Sequence, residues 1–234
     1  MREVATREEA VAGQQEPVIW MRPERAPVGR PAERSRAEIT AAAVELADRE
    51  GLEAVSMRRI ASVLGTGAAS LYRYVATRDD LLDLMTDSAA GEYQLPAPSG
   101  DWLGDLLAVA RQGRQIMRRH PWLPAMVMGR PALGPHGIDL LEHVLDVLAD
   151  HPADPARKVE AFALLSGLTA LFVENETAAA DTGATRRAAY LRHVAAAGHH
   201  PRITALLAAL PPDDDTPRDR FDTVLARSLT GVLG

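Results

Sequence analysis

Between positions 54 and 78 the chain carries four arginines, Arg58, Arg59, Arg73 and Arg78, and no acidic side chain. A face of fixed cations with a local charge of +4 suits contact with phosphate. The neighbouring stretch 20–36 adds five arginines against Glu24 and Glu33, for a further +3. Elsewhere the balance reverses: 79–234 holds 14 basic and 21 acidic side chains, and the whole chain is −6. A whole-chain sum thus hides a local basic face. Arginine is also the default cation here, Lys158 being the one lysine, so scattered arginines weigh less than the acid-free window. Inside that window Gly67, Ala68, Ala69 and Ser70 are all small, which lets a helix start approach base edges closely.

Elements must hold these residues in place. Residues 1–33 show no sustained period and are rich in Pro, Gly, Glu and Arg, which predicts a mobile arm with local order around Trp20. From Ser35, the residues Ile39, Ala42, Ala43, Leu46 and Ala47 recur at helical spacing, and Gly51 can end that helix. Ser56 is placed to cap a second helix whose apolar face is Ile60, Ala61 and Leu64. Gly65 supplies the turn, because a residue without Cβ takes positive φ cheaply. A short third helix carries Leu71 inward and leaves Tyr72 outside. Thr77 opens a fourth, with Asp79 and Asp80 where carboxylates favour the positive end of the dipole. Two helices joined by a tight glycine turn on a scaffold helix form a helix-turn-helix, whose second helix enters the major groove.

Beyond Pro96 and Pro98 the pattern stays helical. It predicts helices over Trp102–Arg119, Pro121–Met128, Gly137–Ala149, Pro155–Ala180, Ala184–Ala197, Ile203–Leu210 and Pro217–Leu233. Neither β-alternation nor an internal repeat is evident. The expected fold class is all-α: a three-helix helix-turn-helix head followed by a larger helical bundle. The expected boundaries are 1–33 for the flexible arm, 34–80 for the head and 81–234 for the bundle.

Several motifs offer chemistry and fail. Gly65-Thr66-Gly67 resembles a dinucleotide fingerprint, but Ser70 stands where the third glycine belongs and no strand precedes it. Asn175-Glu176-Thr177 is a formal glycosylation sequon inside a predicted helix. The seven histidines show no metal-ligand spacing, and with no cysteine there is neither a disulfide nor a thiolate site. No nucleophile elbow or phosphate loop is present, so no catalytic residue, metal or cofactor is expected. The N-terminus lacks the apolar core of a secretory signal. The most apolar run, Phe162–Val173, is interrupted by Ser166, Gly167 and Thr169 and is too short for a membrane span. A cytoplasmic protein without a membrane partner is expected.

The residues Ile39-x-x-Ala42-Ala43, Gly51, the run SMRRIASVLGTGAASLYRYV and the following TRDDLLDLM together resemble the DNA-binding head of the TetR (tetracycline-repressor-type) family. The resemblance implies that Arg58 reaches a base or phosphate from the early second helix. By the same resemblance Ala68, Ala69 and Ser70 face bases, Tyr72, Arg73 and Tyr74 face phosphates or bases, and Arg78 contacts phosphate. Ala68 and Ala69 depart from a polar base reader and offer at most apolar contact to a thymine methyl. Direct readout then leans on Arg58, Ser70 and Arg73. The arm arginines Arg30, Arg34 and Arg36 can enter an adjacent minor groove, or belong to a disordered tail.

The same resemblance implies that the rear domain binds a small-molecule effector and builds a homodimer, and the segment RRHPWLPAMVMGRPALGPHGIDLLEHVLDVL resembles an actinobacterial subgroup. Trp102, His120, Trp122, Met126, Met128 and Phe162 are candidate walls for an apolar effector, or plain core. Ala163, Gly167 and Ala170 form a small-residue stripe, and Phe221, Val224, Leu225 and Ser228 recur on the last helix. Both are candidate dimer faces, or faces of their own core. The implied function is a transcriptional regulator that binds double-stranded operator DNA, a repressor released from a near-palindrome by its effector. Two alternatives remain: the same fold without a small effector, and a helical ligand-binding protein with a vestigial head.

Overall fold

In the computed structural model, which describes residues 17–23, 34–130, 134–179, 182–209 and 220–234, helices begin where a side-chain oxygen satisfies the first unpaired amides. Ser35 opens α1 (Arg36–Glu50): its hydroxyl accepts from Glu38 N at 3.1 Å, and the Glu38 carboxylate accepts from Ser35 N at 2.8 Å. Ser56 caps α2 (Met57–Val63) through Arg59 N at 3.3 Å. Gly65, with φ of +64°, makes the turn into α3 (Ala68–Leu71), a single helical turn. A second reciprocal cap starts α4 (Arg78–Ala90), where Thr77 Oγ1 accepts from Asp80 N at 3.0 Å and Asp80 Oδ2 accepts from Thr77 N at 3.1 Å. Then come α5 (Trp102–Arg119), α6 (Leu123–Gly129), α7 (Pro135–Val147), α8 (Pro155–Ala179), α9 (Thr182–Ala196), α10 (Pro201–Ala209) and α11 (Phe221–Leu233). Among the described residues there is no strand.

Packing divides the chain into two units. The first holds the described residues up to Ser88 together with 134–137, and the second holds the rest. In the first, Ile39, Ala43 and Leu46 of α1 meet Ile60 and Ala61 of α2, with Leu71, Val75, Leu81 and Met85 closing the core. The first three turns of α4 therefore stay with the head, and the division falls at Ser88 rather than at position 80. Ile19 joins the buried set from a short 3-10 turn, Ile19–Met21, which is the local order expected around Trp20. Arg30 and most of the expected 1–33 arm lie outside the described residues.

The second unit is built on α8, which packs against α5, α6 and α11. Its core joins Leu106, Val109 and Ala110 of α5 to Val144 of α7, Leu165 of α8, and Leu225 and Leu229 of α11. The connector after α4 lies antiparallel along α5. Glu92 meets His120 at 2.7 Å, Gln94 and Gln112 exchange two bonds at 2.8 and 3.0 Å, and Ser99 meets Asp105 at 2.8 and 2.9 Å. Among the described residues, no helix is long and apolar enough to cross a membrane.

Candidate nucleic-acid interface

The turn and the one-turn α3 set what the head can present. Ser70 Oγ lies 2.7 Å from Gly67 O and 2.9 Å from Thr66 Oγ1. A carbonyl only accepts, so the Ser70 hydroxyl donates to it and Thr66 donates into Ser70. What Ser70 offers outward is therefore an acceptor lone pair. Ala69 beside it is exposed and Ala68 half-buried. Leu71 is fully buried and Tyr72 is 52% exposed, the split expected from helical spacing. Tyr74 is half-buried, and its carbonyl accepts from Arg36 Nε at 3.1 Å.

The cations separate into those turned outward and those engaged. Arg58 is exposed and pairs with no carboxylate among the described residues. Arg73 is exposed and makes one long bond, 3.5 Å, to Ser70 O. Arg78 is exposed, and its guanidinium Nη2 donates to Leu52 O at 3.2 Å, in the turn that precedes α2. Arg59 meets Glu50 at 2.6 Å, so one of the four window charges is locally balanced. Arg58, Arg73 and Arg78 remain as the basic face, with Tyr72 among them as an amphipathic hydroxyl.

Arg34 and Arg36, expected either in a flanking minor groove or in a disordered tail, are tied to the head. Arg34 donates to Leu64 O at the end of α2, and Arg36 donates to four carbonyls: Tyr74, Ile19, Arg22 and Pro23. Carbonyls at helix ends lack internal partners, and a guanidinium with five donors satisfies several at once. Sequence spacing carries no trace of this, since Leu64 lies 30 residues from Arg34 and Tyr74 lies 38 from Arg36. A second residue that sequence reasoning missed is Thr66, whose hydroxyl sets the orientation of Ser70.

Residues 39–85 match the family described as bacterial regulatory proteins, tetR family, and residues 95–233 match the one described as tetracyclin repressor-like, C-terminal domain. The chain belongs to the TetR family. It is 37% identical over 207 residues to the HTH-type transcriptional repressor DrrR1 of Streptomyces coeruleorubidus, covering 83% of this chain and 75% of that protein. In fold it is similar to apo ActR of Streptomyces coelicolor, with a TM-score of 0.73 and 27% identity over 89% of this chain and all of ActR (100%). ActR in complex with actinorhodin aligns with a TM-score of 0.70 and 28% identity over 86% of this chain and 96% of that one. As a TetR-family member the chain is a helix-turn-helix transcriptional regulator, and its relatives are regulators rather than enzymes.

In the second unit of this TetR-family chain, the six expected effector walls do not converge. Trp102 meets His151 edge-on at 5.0 Å at the start of α5, while His120 and Trp122 lie 5.7 Å apart beyond its end. Eighteen residues of helix separate these two places by about 27 Å. Phe162 and Trp102 pack on the same core cluster. Trp122 and Met126 are buried, and Met128 is 47% exposed. His120 is held by Glu92, which also pairs with Arg119. Burial pushes the Glu92 carboxyl up, yet the bonds and charges of Arg119 and His120 outweigh this and hold it below its ordinary value.

Tyr93 is a further interior group that the sequence reading passed over. Its hydroxyl lies so close to Gly113 on α5 that a Cβ there would overlap it, and burial pushes its pKa up. The expected dimer faces also need sorting. Ala170, Phe221 and Leu225 are buried in their own unit, with Phe221 edge-on to Phe172 at 5.2 Å and beneath Arg114 at 4.6 Å. A partner cannot reach them. Ala163 is exposed, and Gly167, Val224 and Ser228 are half-buried. Val159 and Leu171, which sequence reasoning missed, extend the Ala163–Gly167 row at the same four-residue spacing and are 49% and 46% exposed.

Proposed function

We propose that the chain is a homodimeric repressor of the cytoplasm that holds a near-palindromic operator and releases it when a small molecule enters the second unit. The carrying observation is the outward set Arg58, Tyr72 and Arg73 on an acid-free helix-turn-helix, with Arg58 facing no competing carboxylate. That set also favours a working head over a vestigial one. In this reading α3 enters the major groove. Arg58, Tyr72, Arg73 and Arg78 contact phosphates or base edges, Ala68 and Ala69 meet thymine methyls, and Ser70 accepts from an exocyclic amine. Tyr74, half-buried, contributes through its position at the end of the helix.

Dimer contact is assigned to the row Val159, Ala163, Gly167 and Leu171 on α8, with Val224 and Ser228 on α11. A Cβ added at Gly167 would meet nothing within 4 Å, so the single chain leaves room there for a second backbone. The effector reading draws on the small molecule bound by ActR and on the half-buried Tyr93 packed against the core of the second unit, whose hydroxyl can donate to an acceptor atom on an otherwise apolar ligand. A compound panel tests it: a true effector raises the melting temperature and releases bound operator over the same concentration range. Tyr93→Phe then weakens that compound by about 0.5–1.5 kcal/mol, the net worth of one hydrogen bond. A panel of apolar and aromatic compounds in which none stabilises the protein supports the reading without a small effector.

A further inference from the structure

We propose that residues 17–23 act as a brace that fixes the angle at which α4 leaves the helix-turn-helix, and so sets the half-site spacing the dimer accepts. The segment lies before the head and has one 3-10 turn to order it, yet Ile19 is 1% exposed. Short terminal pieces are ordered only when something ties them down. Here the ties are specific. The Arg36 guanidinium donates from Nη1 to Ile19 O at 3.1 Å and Arg22 O at 3.0 Å, and from Nη2 to Pro23 O at 3.2 Å. Its Nε donates to Tyr74 O at 3.1 Å, so one side chain clips the segment to the turn that follows the recognition helix. Arg22 in turn pairs with Asp80, the buried carboxylate that caps α4.

Farther along α4 the segment makes a third attachment. A Cβ on Gly134 would overlap both the Trp20 indole and the Asp87 carboxylate, so these three are in close contact. Asp87 also accepts from Gly137 N at 3.0 Å and meets His136 Nδ1 at 3.1 Å, holding the first turn of α7. Asp80 and Asp87 are seven residues apart on α4, about 10 Å. A rod fixed at two points 10 Å apart by a body that is itself clipped to the recognition helix cannot swing against that helix. A two-fold regulator reads half-sites about 34–36 Å apart, and the reach of each head depends on that angle.

This inference rests on operator binding by the head. The experiment measures affinity for one operator and for versions whose spacer is lengthened or shortened by one and two base pairs. Wild type discriminates by about tenfold or more per step, the scale of losing a well-placed contact. Ile19→Ser, and separately Arg22→Glu, keep tight binding to the original spacing but discriminate at most about threefold. Arg22→Lys, which keeps a cation against Asp80 and leaves the α4 cap intact, retains discrimination, which a merely destabilising loss of the segment would not do. Folded variants that retain wild-type discrimination overturn the brace. Hydrogen exchange on the unaltered protein gives a second reading: the amides of Met21 and Arg22, which donate to Val18 O and Ile19 O, exchange slowly with the core. Exchange at the rate of an open chain overturns the proposal whatever the variants do. Wild type that binds no operator refutes the DNA-binding reading instead.

Discussion

At the scale of single residues, function depends on which polar atoms remain unengaged once the fold has taken its share. Arg58 and Arg73 keep their charges outward, whereas Arg59 is balanced by Glu50 and Arg36 serves four carbonyls. Arg78→Ala is expected to weaken binding to all sequences and lower the salt slope by about one, as for loss of one phosphate contact. Tyr72→Ala should weaken all sequences without changing the slope as much, since it carries no charge; equilibrium titrations at several salt concentrations separate the two. Ser70 predicts a different signature. With its hydrogen donated to Gly67 O, it reads a donor edge, so Ser70→Ala relaxes preference at one base position by about 1–3 kcal/mol and leaves the salt slope intact. Sequence pattern placed Leu71 inward and Tyr72 outward correctly because that depends on helical period alone. It did not foresee the bonds of Arg34 and Arg36, because their partners are backbone atoms far along the chain.

At the scale of elements, ends were legible wherever a cap and a breaker sit in sequence. Trp102–Arg119 was delimited by Asp101, whose carboxylate accepts from Gly104 N at 3.1 Å, and by His120-Pro121. α6 starts at Leu123 rather than Pro121 because Pro121 and Trp122 form a turn. In the expected stripe Ala163, Gly167, Ala170, the last residue shares the periodicity but is covered by its own unit, which a period cannot reveal. Ion pairs between elements were invisible for the same reason. Glu176 on α8 takes bonds from Arg114 and Arg118 on α5. Burial pushes its carboxyl up, but those two arginines outweigh it and hold the group below its ordinary value of 4.5. A depressed carboxyl stabilises the folded state above that value and loses its contribution as pH falls through the folded pKa. Wild type should therefore lose melting temperature more steeply below pH 4.5 than Glu176→Gln, while at pH 7 the variant is the less stable of the two. Parallel melting curves over that range would show the reverse order if Glu176 were unpaired.

At the scale of the whole molecule, the chain packs as two units, and a two-fold pair is what lets two heads act on one duplex. The row of exposed Val159, Ala163 and Leu171 with half-buried Gly167 makes an apolar strip beside a small-residue gap, the kind of surface a second chain covers. Gly167→Arg is expected to give a folded monomer by sedimentation, with operator affinity reduced about a hundredfold or more because one head cannot span both half-sites. An unchanged dimer would assign the interface elsewhere. The central claim, that this TetR-family head reads DNA, meets its most direct test in sequencing the genomic fragments of its source organism retained by the purified protein at low and high salt. The account predicts enrichment of one near-palindrome, with half-sites about 34–36 Å apart, that survives the higher salt while bulk retention falls. Retention that is uniform across fragments and vanishes with salt would contradict it.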